Sequence, residues 1–518
     1  MVIVRSCTVP RLVNFLRLVW LLSVAWYELG TFYHHTAGCA WPDETLATSG
    51  TSAVPPTHVL LVADPQILDH RSYPERPPWL MRLSQFIVDL NIRKSWRAVL
   101  RRRPEQVVFL GDMMDNGRVD MSDDEYGRYV RRFRSIFAHD ERLAMHYMPG
   151  NHDIGLGVSS PSYRFSDLAR ERYLSSFGPL NQRITLGNHT VLLIDAPSLV
   201  DEERARTASG ASYSEWAAAH SDSTTAFVQA FGRNADLSES DGLILFTHVP
   251  LSRPEGTSCG PLRERGTLRQ GRGLGYQNLL TPQASQFLLQ NIRPAIIFGG
   301  DDHDYCEYVH TVPSVDTKRP SPPASIPEIT VKSFSMAMGI RRPGYQLLSL
   351  IPPAAFPGTQ TIAHTPCLLP DQLGIYLNIY VPLIVLSLAI LLLSNIRRSC
   401  TRHSTSTARS SEWTSLDPND AAEPDYGLPP PSAWRSKEFP RPGWSRTFAV
   451  PFSGRRLRVT LAPSALLEPL KAFLWTGGKA GDDESRRKRS VLKGFLFDIR
   501  DVAWAPLALF VLIAWWVW

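Results

Sequence analysis

The chain has 518 residues, a formal net charge of +6 and a hydrophobic fraction of 43%. That length suits two or three domains, and the composition excludes a low-complexity or wholly disordered chain. Lysines and arginines are scattered or flank apolar runs, which excludes a concentrated basic surface for nucleic acid.

The first predicted element is an apolar helix over 11–33, rich in Leu, Val and Trp. It reads as a membrane span or signal anchor, with 1–10 left in the cytoplasm. The alternative is a cleaved signal peptide, with the small-residue stretch from Thr36 to Ala40 as its cleavage site. From 55 to 352 the pattern changes. β-type apolar runs occur at His58–Ala63, Gln106–Leu110, Met145–Met148, Thr190–Asp195, Leu243–Thr247, Ala295–Phe298, Ile329–Phe334 and Tyr345–Ile351. Helical patterns intervene, for example Leu83–Arg102 and Pro282–Asn291. Alternating apolar strands and helices predict one α/β domain, with its sheets covered by helices and its active site at the carboxyl ends of strands.

A second apolar segment, 374–394, is long enough to cross a bilayer, which takes ~20 residues. Residues 397–500 read as a cytoplasmic loop. Its Ser-, Thr- and Pro-rich part, from Cys400 to about Pro442, is expected to be disordered, and Thr447–Leu474 to form a small membrane-apposed element. A third apolar segment covers 502–518. Basic residues flank all three: Arg5, Arg11 and Arg17; Arg397 and Arg398; Arg486 to Arg489. The last run also has a nuclear-import reading, but its apolar neighbour favours a membrane flank. The positive-inside rule puts these flanks in the cytoplasm and the α/β domain in the lumen of the secretory pathway. The lumen permits disulfides, and a Cys259–Cys306 bond is expected, against the alternative of two free buried thiols. Cys39 and Cys367 fall on the same side, while Cys7 and Cys400 fall on the reducing side. A sequon at Asn188 lies on the lumenal side.

Five polar motifs each follow a β-type run: VADPQ (Asp64, Gln66), GDMMDNGR (Gly111 to Arg118), GNHD (Gly150 to Asp153), THVP (His248) and GGDDHD (Gly299 to Asp304). Singly each is weak, since a strand-end Asp is usually a turn residue. Together they supply the carboxylates, amide and imidazoles of a two-metal phosphoesterase. Two divalent cations ~4 Å apart can ionise a water and clamp phosphate oxygens. Asp112 is the expected bridge between them. Asp64 and His303 complete one site, with Gln66 and Asp301 as further ligand positions, and Asn151 and His248 serve the other. His152 is the expected general acid toward the leaving oxygen. Asp115 would orient it, and Arg118 would hold a phosphate oxygen through its planar fork.

These motifs resemble the calcineurin-like metallophosphoesterase superfamily, whose signature is D-x-H, GDxxDxGR, GNHD, H and GHxH. Gln66 stands where that signature has a His, and Asp301 where it has the first His of GHxH. The stretches Arg253–Gly266 and Phe298–Tyr308 resemble more closely the membrane-anchored fungal phosphodiesterases that remodel glycosylphosphatidylinositol (GPI) anchors. In that branch the Gln and Asp departures look like family features. The resemblance implies a metallophosphoesterase-type β-sandwich flanked by helices, to which this chain adds transmembrane helices. It also implies two Mn²⁺ ions and removal of ethanolamine phosphate from a mannose of the GPI glycan, in the endoplasmic reticulum membrane or the Golgi. Substituting an amide and a carboxylate for two imidazoles hardens the site, which agrees with Mn²⁺ over Zn²⁺. The partners implied are the GPI glycan or GPI-anchored proteins and membrane lipid, with no nucleic acid. Two rivals remain: another membrane-anchored metallophosphatase, and a catalytically silent receptor for GPI-protein cargo.

Overall fold

The computed structural model describes residues 9–46, 55–157, 165–234, 242–273, 275–312, 324–356, 359–410, 446–452, 455–461 and 490–518. By internal contacts the chain divides into two units, one of 26–379 with 512–518 and one of 1–25 with 380–511.

The larger unit is a two-sheet sandwich. One sheet has the order β13-β12-β1-β2-β3, formed by Ile362–Leu368, Gly344–Leu350, Thr57–Val62, Gln106–Phe109 and Ala144–Tyr147. The other has the order β10-β11-β9-β6-β5-β4, formed by Cys306–Val312, Ala324–Thr330, Ile296–Gly299, Ile244–Thr247, His189–Ile194 and Gln182–Leu186. The short ribbon β7-β8, Arg272–Gly273 with Tyr276–Gln277, stands apart. β1, β2 and β3 run parallel, as do β5, β6, β9 and β11. Residues alternate between two apolar environments along each central strand, so the runs look continuously hydrophobic. Val59 and Leu61 face the other sheet, packed with Val191, Phe246 and Phe298. Leu60 and Val62 face outward onto Ile92 and Trp96 of helix Pro78–Val99 and Phe133 of helix Asp123–Ile136. Helices Ala196–Ser209 and Pro282–Ile292 cover the second sheet in the same way. The architecture is therefore helix, sheet, sheet, helix, as the α/β reading expects.

The domain is larger than the predicted 55–352. Strand β13 pairs antiparallel with β12, from Gly344↔Leu368 to Leu350↔Ile362. A disulfide joins Cys39 to Cys367, and His58 stacks on Trp41 at 4.1 Å. The expected Cys259–Cys306 disulfide is present. Asn188 lies exposed in the turn of the β4–β5 hairpin, where Gly187 and Asn188 both have positive φ, the two-residue turn that suits Asn and Gly.

In the smaller unit, helices Val9–Ala25, Val381–Ser410 and Val491–Val517 pack through Val13, Leu16, Leu391 and Val502. Polar groups between them are paired: Trp20 Nε1 donates to Ser387 Oγ (3.1 Å), and Asp498 accepts from Asn395 and Arg398. Two helical stretches, Arg11–Thr45 and Gln372–Cys400, are long and apolar enough to cross a membrane. The predicted third span, 502–518, does not qualify by itself among the described residues. It is the second half of a helix whose first half carries Lys493, Asp498, Arg500 and Asp501. Within the predicted loop, Arg446–Phe452 pairs with Arg455–Leu461 as an antiparallel hairpin. Of the disorder expected from Cys400 to about Pro442, the part up to Ser410 instead continues helix Val381–Ser410, and the rest lies outside the described residues.

Candidate metal centre

Five strand ends from both sheets converge on one place. β1 leads to Asp64, β2 to Asp112, β3 to Asn151, β6 to His248, and β9 to Asp301 and His303. The turns leaving these strands are locked to one another. Gln66 N donates to Asp112 O (2.9 Å), Gly300 N to His248 O (3.0 Å), and Ser333 N to His303 O (2.9 Å).

The backbone is strained where the ligands are expected. Eight non-glycine residues among those described have positive φ, and five of them are Asp64, Gln66, Asp112, Asp301 and His303, with φ between 32° and 64°. Such conformations cost about 1–3 kcal/mol each and persist only where the surroundings enforce them. Two glycines make room. A Cβ on Gly111 would lie 2.3 Å from His248 Nδ1, and one on Gly150 would lie 2.0 Å from Asp112 Oδ1.

One ligand atom each from Asp64, Asp112 and His303 can be taken so that all three lie within 4.8 Å of one another. On the other side, His248 Nε2 is 3.1 Å from Asn151 Oδ1 and 3.4 Å from Asp112 Oδ1. His248 Nδ1 donates to Leu110 O at 2.7 Å, which fixes the ring with Nε2 turned to the cluster as the atom a cation would take. Asn151 Nδ2 donates to Gly275 O, so its oxygen is the end turned to the cluster. Asp301 Oδ1 lies 3.6 Å from His248 Nε2. Asp112 belongs to the Asp64–His303 group and also lies 3.4 Å from His248 Nε2, a position from which its carboxylate can reach both sides.

The donor set fits divalent cations. Asp64 Oδ2 and Asp301 Oδ2 are buried and have no hydrogen-bond partner among the described residues. Unpaired buried carboxylate oxygens are costly, and a cation removes that cost. Burial is the main cause that raises the Asp64 and Asp301 carboxyls, the latter to about 7, and neighbouring carboxylates add to it. Burial opposes ionisation of Asp112 as well, but His248 and His152 overcome it and hold that carboxyl well below its ordinary range. Burial holds His303 at about 3, so its imidazole is neutral, the form that ligates.

Gln66 sits differently from its predicted part. Its Nε2 donates to Asp112 Oδ2 at 2.7 Å, so in this geometry it steadies the bridging carboxylate. His152 is partly exposed beside the cluster. Its backbone N donates to Asp112 Oδ1, and its Nδ1 donates to the main-chain oxygen of Asp115 at 2.5 Å. The Asp115 carboxylate, expected to orient the ring, lies 3.5 Å away. The carbonyl therefore orients His152, and the carboxylate adds charge. Burial and the nearby Arg118 guanidinium lower the His152 pKa, against the pull of Asp112 and Asp115. Arg118 is buried, with Nη1 donating to Asn151 O (3.0 Å) and Gly275 O (3.2 Å). It holds the Asn151 turn in place.

Two residues of this site carried no predicted role. Asp153 Oδ2 accepts from Gly150 N and Met113 N, and its Oδ1 accepts from Met114 N, which ties the GNHD turn to the GDMMD turn. Its place three residues after Gly150, at the start of a helical turn, was the available signal. Ser333 Oγ donates to Asp64 O across a separation of 269 residues. No local pattern points to it.

An α/β sandwich with carboxylate, amide and imidazole ligands at five strand ends defines a dinuclear-metal phosphoesterase domain. Residues 58–305 match the family model described as calcineurin-like phosphoesterase. The chain is 34% identical over 351 residues to Cell division control protein 1 of Saccharomyces cerevisiae, in a match covering 66% of this chain and 65% of that protein. It is 27% identical over 323 residues to Metallophosphoesterase 1 of Ailuropoda melanoleuca, covering 60% and 74%. Among solved structures, a dimetal phosphatase from Danio rerio aligns over 61% of this chain and 99% of that one, with 15% identity and a TM-score of 0.34.

Proposed function

We propose that this protein is a membrane-anchored phosphodiesterase that removes ethanolamine phosphate from a mannose of the GPI glycan. Its catalytic domain would face the lumen of the endoplasmic reticulum, and its cations would be Mn²⁺. The observation that carries the reaction class is the cluster of Asp64, Asp112 and His303 with unpaired carboxylate oxygens beside His152. The two disulfides and the exposed Asn188 support a lumenal domain. The apolar stretches Arg11–Thr45 and Gln372–Cys400 support membrane anchorage. The fungal-type stretch Arg253–Gly266 supports the GPI substrate.

Asp64, Asp112 and His303 would hold one cation, and Asp112, Asn151, His248 and Asp301 the other. When bound, the cations supply the charge neutralisation that phosphate ester cleavage needs. The remaining steps belong to the chain. His152, with its Nδ1 proton committed to Asp115 O, would present Nε2 to the leaving oxygen and, in its imidazolium form, deliver the Nε2 proton there. Arg118 fixes Asn151 from behind, and its charge favours an anionic group in front of His152.

Mass analysis of GPI glycans from cells lacking this protein tests the reading. Retained ethanolamine phosphate on one mannose is the expected result. Unchanged glycans, together with turnover of other phosphate esters by the purified protein, would assign it to another substrate. No metal and no turnover of any ester would leave only the silent receptor.

A further inference from the structure

Helix Pro78–Val99 has 22 residues, a length of about 33 Å. Its second half gathers the ends of the apolar segments. Lys94 Nζ lies 2.6 Å from Glu28 Oε2, with both side chains buried. Glu28 Oε1 also accepts from Gln372 Nε2 at 3.3 Å. Glu28 lies in the last turns of the first predicted span, and Gln372 opens the second apolar stretch. Arg93 stacks on Trp518 at 4.6 Å and Arg97 on Trp516 at 5.1 Å, both from the C-terminal apolar helix.

The first half of the same helix has one face in the domain core, through Met81 and Val88. Its other face is apolar yet uncovered. Trp79 is 67% exposed, Leu83 44% and Phe86 36%. Their spacing of four and three residues puts them on one stripe. Exposed Arg76 and Arg82 flank that stripe. Helix Asp123–Ile136 of the same layer shows the contrast: Asp124, Arg128 and Arg131 are among its exposed residues. An aromatic and aliphatic stripe edged with arginine suits a lipid interface, where rings sit at headgroup level and basic groups reach the phosphates. The stripe is continuous with the membrane-segment ends, since Phe86 stacks on Trp518 at 5.6 Å.

We propose that the first half of helix Pro78–Val99 is an interfacial helix whose Trp79, Leu83 and Phe86 dip into the lipid surface. This rests on the membrane-anchored reading above. The loop from Ile67 to Pro77 joins Gln66 directly to this helix, and Tyr73 Oη donates to Ala337 O. Docking the helix therefore fixes the height of the metal centre above the bilayer, which favours substrates that are themselves held in lipid.

The test uses the full chain in phosphatidylcholine vesicles doped with a phosphatidylcholine that carries a photoreactive diazirine high on its acyl chain. Lipid adducts mapped by mass spectrometry are expected on Trp79, Leu83 or Phe86. The variant Trp79→Ser/Leu83→Ser/Phe86→Ser should lose these adducts. It should turn over a vesicle-embedded ethanolamine-phosphate mannolipid about tenfold more slowly, with unchanged turnover of a soluble aryl phosphodiester. Absent lipid adducts, an equal loss on both substrates, or cross-links between two copies of the chain at these positions would overturn the proposal. Should the wild type turn over neither substrate, the enzymatic reading fails separately, and the adduct map alone decides the docking.

Discussion

Two buried charge clusters in this domain are neutralised in opposite ways. Glu328 on β11 is fully buried and fully paired, accepting from Leu251 N (2.9 Å), Arg253 Nε (3.2 Å) and His310 Nε2 (2.6 Å). The Arg253 fork is completed by Thr330 Oγ1 at 2.8 Å. The strand-end cluster is just as buried, yet Asp64 and Asp301 each keep an oxygen that no group among the described residues satisfies. Its backbone is strained as well, while Arg253, His310 and Glu328 have no positive φ. The comparison separates charge kept for structure from charge kept for an outside cation. Burial and charge are common to both clusters, so neither marks the active site. Unpaired buried oxygens also occur elsewhere, for example on Asp69 and Gln346, and what sets the strand-end cluster apart is two such carboxylates on strained backbone at converging strand ends.

The sharpest way to break this contrast is at the carboxylate shared by both metal sides. Asp112→Ala should reduce turnover by about 10³-fold or more, because metal stabilisation is worth several kcal/mol and each ~1.4 kcal/mol is tenfold. Bound metal should fall in the same sample, measured by elemental analysis. Near-normal metal content with near-normal turnover would remove Asp112 from the bridge. In the structural cluster, Glu328→Gln should cost about 3–5 kcal/mol of stability, since it strands Arg253 without a counter-charge. The folded fraction should keep its metal.

Glu328 also fixes a pH dependence. Burial opposes its ionisation, but Arg253 and His310 overcome this and lower its pKa below 4.5. Its stabilising effect is therefore complete above the unfolded-state value and is lost as pH falls through the lower folded value. Thermal melts between pH 3 and 6 should show an acid limb that is flattened in Glu328→Gln. An unchanged limb would assign it to other carboxylates.

His152→Asn should slow catalysis by about 10²-fold while metal content stays at the wild-type level, because only the proton donor is removed. A parallel loss of metal would make His152 a ligand. Chelation comes next in size. With cation at about 100 times its dissociation constant, stripping it should lower stability by about 2.7 kcal/mol. In Asp64→Asn/Asp301→Asn that loss should shrink, since the amides bind cations poorly and repel one another less when the site is empty. Equal chelator shifts in both proteins would mean that the unpaired oxygens do not face the metal.

Much of this site was legible because each motif follows a β-type run, most of them buried on both faces. Asp64, Asp112, Asn151, His248, Asp301 and His303 needed only that rule to be placed together. The exact uses of side chains were not legible. Arg118 bonds to Asn151 O and Gly275 O, contacts set by a loop distant in sequence. The Asp115 group that orients His152 is its carbonyl, which every residue type has. The missed strands have local reasons. β10 and β13 mix polar residues with apolar ones, and β13 contains Pro366, which suits an edge strand. Helix Pro78–Val99 begins before the predicted Leu83 because its proline sits at the first helical position, where it is favoured.

The smallest expected effect, and the finest probe of the metal cluster, is at Gln66. An imidazole stands at this position in the superfamily signature and would give a nitrogen to the cation shared with Asp64 and His303. Gln66 instead donates its amide to Asp112 Oδ2, which leaves that cation dependent on oxygen ligands and His303. Gln66→His exchanges a hydrogen bond to the bridge for a nitrogen ligand. It should bind metal about tenfold more tightly and shift preference from Mn²⁺ toward Zn²⁺, because affinity rises along the divalent series and imidazole suits zinc. Turnover with Mn²⁺ should fall only modestly, since His152 N still donates to Asp112 Oδ1 at 2.8 Å and holds the bridging carboxylate. Calorimetric titration of both proteins with Mn²⁺ and Zn²⁺ reads the effect directly. Identical affinities would show that position 66 acts on the bridge alone, and that the left-handed turn at Gln66 (φ 32°) keeps its side chain away from the cation.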